Sequence, residues 1–225
     1  MPVLALDTSG AVAVALTSDT GDVLAARAEG QQRHHAELLA PMIAAVLAEA
    51  GVERTELTSI VVGTGPAPFT GLRVGLVTAR TLALGLGIPA LGVPSLDAIA
   101  AAASRTVAPG TTIVVATDAR RREVYSSTYR ADGPGLVHVL VEPAVGAASS
   151  VVVEPGALVV GRGVSLYPDA LGALDVPDGL LDPDPAELAR LALARRAGGR
   201  TLPTEPLYLR RPDAVPSAGS KRVGG

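Results

Sequence analysis

The first residues of the chain that could do chemistry are Asp7, Thr8 and Ser9, which lie between two apolar runs. Hydroxyls and backbone amides in a short turn can hold a phosphate, and a carboxylate beside them can bind a metal–nucleotide complex. The same residue types are those that any hairpin turn prefers. The pattern therefore has two interpretations, a nucleotide site and an ordinary turn, and turn statistics favour the second.

A loop rich in glycine and proline at 63–68 leads into a predicted helix that contains Gly71 and Gly75. Glycines let the backbone approach another surface, prolines stiffen the loop, and a helix N-terminus can bind an anion. The segment lacks the Gly-Lys-Ser/Thr of a Walker loop, so it does not support an NTPase of that class. The four-residue spacing of Gly71 and Gly75 favours close packing of this helix against another helix.

Two further clusters contain charged residues or residues of the types that bind metals. His34 and His35 are adjacent, so on a helix they point to different faces and are poorly placed to share a metal. The arginines at 120–122 could meet phosphate, although such a run is more often a solvated turn. A kinase would need a catalytic carboxylate and a second phosphate loop here, for which Asp118 and Gly-Arg-Gly at 161–163 are the candidates.

Composition excludes several classes of protein. The chain has no cysteine, which rules out disulfides, thiolate catalysis and cysteine-based zinc sites and fits a reducing cytoplasm. A net charge of −3, with one Phe and four Tyr, offers neither a broad basic face nor a base-stacking platform, so a role in RNA chemistry would depend on a partner. No apolar run approaches the roughly 18 residues of a membrane span. No basic segment precedes the first apolar run, so no secretory signal is expected.

Hydrophobic periodicity predicts an α/β protein in two parts. The first part reads as three strands, a helix, a strand and a helix, the order of a ribonuclease-H-like unit, and the second part reads as a reduced version. Ser95 is predicted to be the N-cap of the third helix. We expect a first lobe at 1–106, a smaller lobe at 107–211 whose C-terminal segment is a candidate to return to the first, and a disordered tail at 212–225. Strands are predicted at 3–6, 12–16, 23–28, 59–63, 88–93, 111–117, 123–129, 136–141 and 157–161, and helices at 34–50, 69–86, 95–103 and 185–197.

Several motifs together resemble the bacterial TsaB (YeaZ) family, the accessory subunit of tRNA adenosine threonylcarbamoyltransferase. The resemblance spans residues 3 to 210, and its most specific part is the loop Gly-Pro-Ala-Pro-Phe-Thr-Gly-Leu-Arg-Val-Gly at 65–75. The other motifs are Ala-Leu-Asp-Thr-Ser at 5–9, His-Ala-Glu-Leu-Leu at 35–39, Gly-Leu-Gly-Ile-Pro at 85–89, Gly-Val-Pro-Ser-Leu at 92–96, Asp-Ala-Arg-Arg at 118–121 and Glu-Pro-Leu-Tyr-Leu-Arg at 205–210. The chain departs from the family pattern at Ala36, Ala67 and Pro68.

The resemblance implies an actin-like, sugar-kinase-like (ASKHA) fold with two ribonuclease-H-like lobes, the second reduced. It also implies a catalytic paralogue, TsaD, whose active site carries a His-x-x-x-His metal motif. That motif aligns with Ser95 and Ile99 of this chain, where serine is a poor ligand and isoleucine is none. We therefore expect no catalytic residue, no metal site and no enzymatic activity, and Asp7, Thr8 and Ser9 would be a vestigial nucleotide site.

In the family this subunit pairs with TsaD through the two long helices of its first lobe. The resemblance implies that TsaE, an ATPase, completes the assembly and that tRNA is reached only through the complex. We expect no cofactor for this chain, with ATP or ADP as a candidate ligand at the heterodimer interface. A homodimer in the absence of the partner is a further expectation. The residues expected at the partner interface are His35, Leu38, Met42, Val46, Phe69, Leu72, Arg73, Gly75, Leu76 and Arg80.

The expected function is non-catalytic support of threonylcarbamoyl transfer to adenosine-37 of tRNA in the cytoplasm. One rival is a stand-alone ATPase or small-molecule kinase of the same fold. A second rival is a peptidase, for which the sequence offers neither a metal-ligand cluster nor an activated nucleophile.

Overall fold

The computed structural model describes residues 1–30, 35–172 and 176–210. The predicted tail at 212–225 and His34 lie outside the described residues. His35 begins the first helix, but its side chain also lies outside them.

The first sheet has five strands in the order β3-β2-β1-β4-β5. Strands β1 to β3 are antiparallel neighbours, whereas β4 and β5 add in parallel on the other side of β1. Helix α1 follows β3, and α2 connects β4 to β5, which is the predicted ribonuclease-H-like plan. The elements are β1 (Val3–Asp7), β2 (Val12–Thr17), β3 (Val23–Glu29), α1 (His35–Ala50), β4 (Ser59–Gly63), α2 (Phe69–Leu86) and β5 (Ala90–Val93).

The second sheet repeats this order with one strand fewer, as β8-β7-β6-β9. Strands β6 to β8 are antiparallel and β9 pairs in parallel with β6, so β6 corresponds to β1. The mixed α/β fold with two ribonuclease-H-like sheets, the second reduced, is thereby confirmed. The remaining elements are α3 (Ser95–Ser104), β6 (Thr112–Asp118), β7 (Glu123–Gly133), β8 (Leu136–Ala147), β9 (Leu158–Val160), α4 (Arg162–Leu166), α5 (Pro168–Leu171) and α6 (Pro185–Ala197).

Strand β1 is buried on both faces, so its successive side chains enter different cores. Leu4 and Leu6 pack against α1 and α2, whereas Val3 and Ala5 pack against α3 and α6. Helix α3 also packs on the second sheet, so it lies between the two lobes.

The C-terminal part of the chain lies on the first lobe. Helix α6 packs on the first sheet, although it follows the second lobe in sequence. Beyond it, the C-terminal segment (residues 201–210) pairs with β5 where Gly92 N donates to Leu202 O at 2.9 Å. These contacts tie the end of the chain to the lobe that begins it.

A buried ionic group joins the lobes at α3. Asp97 accepts a hydrogen bond from Tyr129 of β7 at 2.9 Å and one from Arg195 of α6 at 2.6 Å. Asp97 is almost fully buried, so removal of either partner would leave a carboxylate poorly compensated. The three elements are therefore held in one arrangement by a charged contact as well as by apolar packing.

The prediction that Ser95 is a helix N-cap is wrong. Pro94 occupies the N-cap position, and Ser95 is the first helical residue. The hydroxyl of Ser95 instead points into the first lobe, where it contacts Asp7 and the backbone of Gly65.

Candidate functional site

A cleft of about 460 Å³ lies between the two lobes. This volume is within the range of small-molecule sites. The β1–β2 turn and the start of α2 form its first-lobe wall, and the β6–β7 turn and the segments near Arg162 and Asp182 form the opposite wall. The lining residues are Thr8, Ser9, Gly10, Ala36, Pro68, Thr70, Gly71, Val74, Thr117, Asp118, Arg120, Arg162, Asp182 and Pro183.

The structure brings together most of the residues that the sequence suggested for phosphate chemistry. Thr8 and Ser9 face Asp118, Arg120 and Arg162 across this cleft. Asp7 does not line the cleft, because its side chain is 1% exposed and lies behind the turn.

Both carboxylate oxygens of Asp7 are engaged inside the first lobe. Oδ1 accepts hydrogen bonds from Ser9 N at 2.7 Å and from Ser9 Oγ at 2.5 Å, and Oδ2 accepts one from Ser95 Oγ at 2.7 Å. Burial raises the pKa of Asp7 to about 6, although these hydrogen bonds lower it, and the charge of Asp182 makes a small part of that increase. Gly63 is required beside it, because a Cβ there would lie 2.6 Å from Ser95 Oγ.

Thr8 holds the start of α2 rather than presenting a free hydroxyl. Its Oγ1 donates to Gly71 O at 2.8 Å and accepts from Gly75 N at 3.1 Å. These two backbone groups are four residues apart in α2, so the hydroxyl bridges one step of the helical hydrogen-bond ladder. The prediction that Gly71 and Gly75 allow helix–helix packing is wrong for Gly75, whose Cα faces Leu6 and Thr8 of the β1–β2 hairpin.

On the second-lobe wall, each arginine is held by an aspartate. Arg120 pairs with Asp118 at 3.2 Å, and Asp118 also accepts from the Arg120 backbone at 2.7 Å. The turn that carries Arg120 has three consecutive non-glycine residues with positive φ, at 120–122. Such residues are held in place by surrounding contacts, and here Arg210 donates to Ala119 O at 2.9 Å and pairs with Glu123.

Asp182 is the cleft residue that the sequence analysis missed. Its carboxylate pairs with Arg162, with Arg162 Nε 3.0 Å from Oδ1, and it lies against Gly10 of the opposite wall. A single aspartate in the Asp-Pro-Asp-Pro stretch at 182–185 carries no spacing signal that would have identified it.

The expected interface residues divide into two groups in the structure. Val46, Leu72, Gly75 and Leu76 are buried in the core of the first lobe and leave no surface on this chain for a partner. Leu38, Met42 and Phe69 are partly exposed, and Arg73 and Arg80 are exposed. The interface role of the set stays a prediction, and only the second group has side-chain surface for direct contact.

The positions aligned with the metal motif of the paralogue have structural roles. Ile99 is fully buried in the core that α3 shares with the second sheet, and Ser95 Oγ accepts from Gly65 N at 3.1 Å while it donates to Asp7. Within the three described ranges, no group of three or more His, Asp or Glu side chains is arranged to hold a metal ion. No helix in this part of the chain is long and apolar enough to cross a membrane.

Comparison with known proteins gives the family. The family model described as "TsaD: tRNA N6-adenosine threonylcarbamoyltransferase" matches residues 22–157. The tRNA threonylcarbamoyladenosine biosynthesis protein TsaB of Escherichia coli is 33% identical to this chain, over 93% of this chain and 95% of its own length. The chain belongs to the TsaB family. The resemblance found in the sequence motifs is thereby confirmed.

Other relatives also match this chain over nearly its whole length. An uncharacterized protein of Mycobacterium tuberculosis is 41% identical over 96% of this chain and 95% of its own. A crystal structure from Pseudomonas aeruginosa, described as an uncharacterized protein with similarity to peptidase YEAZ, superposes with a TM-score of 0.79 at 32% identity. That superposition covers 93% of this chain and 99% of the other, so the whole TsaB-type fold is shared.

The raised pKa of Asp7 predicts a specific pH dependence of stability. The folded protein keeps this proton up to about pH 6, whereas the ordinary pKa of an aspartate is 3.8, so between these pH values the folded state binds more protons than the unfolded one. The free energy of unfolding should therefore fall as pH rises through this window, by an amount of the order of 2–3 kcal/mol from Asp7 alone.

Asp7→Asn should remove this component, measured by urea unfolding at a series of pH values. Asp169→Asn, at an exposed position, should keep the wild-type profile; parallel profiles for wild type and Asp7→Asn would contradict the assignment.

The bridging hydroxyl of Thr8 gives a second prediction. Thr8→Val keeps the shape but leaves Gly71 O and Gly75 N without this partner, so it should lower the free energy of unfolding by about 1–3 kcal/mol. Thr8→Ser keeps the hydroxyl and should lose less. Urea unfolding of both variants measures the difference, and an equal loss in the two variants would show that the methyl group, not the bridge, carries the effect.

Proposed function

We infer that this chain is a non-catalytic accessory subunit that supports threonylcarbamoyl transfer to adenosine-37 of tRNA through a heterodimer with a TsaD-type catalytic paralogue. The observation that carries this inference is membership of the TsaB family over nearly the whole chain, since the E. coli relative is a tRNA threonylcarbamoyladenosine biosynthesis protein. The match to the TsaD family model supports a paralogous partner.

The outer surface of α1 and α2 supports this inference. One exposed row of α2 consists of Arg73, Val77, Arg80 and Leu84, spaced at three and four residues and therefore on one helix face. We call this row the outer row of α2. Its two apolar members are 62% and 84% exposed, at Val77 and Leu84 respectively. Exposed large apolar side chains grouped on one face mark an interaction surface.

Helix α1 also carries a row of small, exposed side chains. Its exposed Ala40, Ala44 and Ala48 recur at four-residue spacing, so they share one face. Small side chains let another helix approach closely, and helices packed in this way can extend into a bundle with helices of a second chain. Leu38 and Met42 are partly exposed on a different side of the same helix and pack against the core of the first lobe.

The C-terminal segment holds the outer row of α2 in place. Arg80 donates to Thr204 O at 2.6 Å and to Thr204 Oγ1 at 2.8 Å. Arg73 donates to the Tyr208 hydroxyl at 3.1 Å and its guanidinium lies 3.5 Å from the centre of the Phe69 ring. An ordered arginine loses less side-chain entropy when a partner binds, so these contacts prepare the surface for association.

The remaining parts of the assembly follow from the same proposal. TsaE would complete the complex, ATP or ADP would lie at the heterodimer interface, and tRNA would be contacted through the complex in the cytoplasm. The outer row of α2 and the exposed alanines of α1 would also mediate a homodimer when the catalytic subunit is absent, because the same exposed surface would be available to either partner.

Reconstitution tests the function directly. Threonylcarbamoyl incorporation into tRNA is measured in a mixture of the purified proteins, with one protein omitted at a time. Omission of this chain should abolish or greatly reduce transfer, and the chain with only tRNA and threonylcarbamoyl-adenylate should transfer nothing. Transfer by the chain alone would refute its non-catalytic role, and full activity without it would refute its role in the reaction.

The proposed interface is tested by placing a negative charge in the exposed outer row of α2 and, for comparison, in the core. Leu84→Glu and Val77→Glu should weaken binding of the TsaD-type partner at least tenfold, because a carboxylate would be buried without a partner, while thermal unfolding stays near wild type. Leu166→Glu, at a 49% exposed position of the second lobe, is the matched control and should bind normally. Leu76→Glu should instead unfold the chain, since Leu76 is 3% exposed. Unchanged binding by both outer-row variants would refute the proposed interface.

A further inference from the structure

The inter-lobe cleft carries the groups that could receive a phosphate, but one short segment of the chain already occupies several of them. This segment, residues 180–182, lies between the last turn of the second lobe and α6. It contacts both walls of the cleft, with Arg162 on one side and the β1–β2 turn on the other.

The backbone of the segment engages the loop that would be the second phosphate loop. Gly161 N donates to Leu180 O at 2.9 Å, and Arg162 N donates to Leu181 O at 3.1 Å. Backbone amides at a glycine-rich turn are the usual donors to a bound anion. Here two of them already have carbonyl partners from the same chain.

The side chain of Asp182 engages the guanidinium of Arg162, the remaining group of this loop that could bind an anion. Its two oxygens form a two-point contact with Nε and Nη2 of Arg162, the geometry in which arginine also binds phosphate. The carboxylate also lies over Gly10, with Cγ 3.4 Å from the position that a Cβ of residue 10 would take. The carboxylate thus belongs to the second-lobe wall and occupies the Arg162 guanidinium on the side that approaches Gly10 of the first-lobe wall.

The balance of charge in the cleft points the same way. Its lining includes two arginines and two aspartates, which form two ion pairs. Arg120 pairs with Asp118, and Arg162 pairs with Asp182. An incoming polyphosphate would meet a second carboxylate behind the turn, since Asp7 and Asp182 already influence each other electrostatically. Binding of a phosphate between the walls would therefore require displacement of Asp182 from Arg162.

We propose that Asp182 is a built-in anion that closes the inter-lobe cleft to phosphate groups, so that the cleft of this chain rejects pyrophosphate and nucleoside polyphosphates although its Arg162 is suited to bind them. Asp182 is then the residue that determines the specificity of the cleft. This inference goes beyond the accessory function and does not depend on it.

The test is binding of pyrophosphate and of ADP to the isolated full chain by isothermal titration calorimetry at low ionic strength. Asp182→Ala should bind pyrophosphate at least tenfold more tightly than wild type, because Arg162 gains a phosphate in place of the lost carboxylate. The double variant Asp182→Ala with Arg162→Ala should lose this gain. Asp169→Ala, which changes the net charge equally at an exposed position, should bind as wild type does.

A second variant distinguishes a change in phosphate binding from a loss of folding. Asp182→Asn keeps the size of the side chain and removes its charge, so it should show the same direction of change in binding, and circular dichroism with thermal unfolding checks that each variant is folded. The proposal is overturned if wild type binds pyrophosphate as tightly as the folded Asp182 variants, or if the gain persists without Arg162. No partner subunit is present, so these outcomes leave the reconstitution result untouched.

Discussion

The buried carboxylate of Asp7 is the contact on which the first lobe is organised. Through Ser9 it closes the β1–β2 turn, and through Ser95 it reaches the start of α3 and the backbone of Gly65. One acidic side chain at the end of β1 thereby links the central strand, the loop that precedes α2 and the helix between the lobes. Burial destabilises the ionised form of Asp7, and the hydrogen bonds offset only part of that effect. The pKa of Asp7 is therefore raised to about 6, so the stability of the lobe depends on the protonation of this group.

The neighbouring Thr8 extends this organisation to α2. Its hydroxyl bridges Gly71 and Gly75, so the orientation of the helix follows from the turn that carries Asp7. The opposite face of α2 carries the exposed outer row, and the C-terminal segment orders two of its arginines. Thr8, which the sequence suggested for a nucleotide site, therefore has a structural role in holding this helix against the first sheet.

The C-terminal third of the chain completes the fold. Helix α6 covers the first sheet, Arg195 compensates Asp97 between the lobes, and Asp182 lines the inter-lobe cleft. These contacts join residues from about 20 to more than 170 positions apart in sequence.

The sequence by itself determined the strands, the longer helices, their order and the family, because hydrophobic periodicity and short motifs are local properties of the chain; the short helices α4 and α5 have too few residues to show a period. The strands at 59–63 and 123–129 and the helices at 69–86 and 185–197 agree with the structure to within a few residues. Tertiary structure decided which helix face is buried. Leu72 and Leu76 enter the core while Val77 and Leu84 remain exposed, and periodicity alone cannot distinguish two apolar faces of one helix. It also decided the roles of Ser95 and Asp182, since each acts through a residue at least 20 positions away and neither has a sequence pattern that reports such a distance.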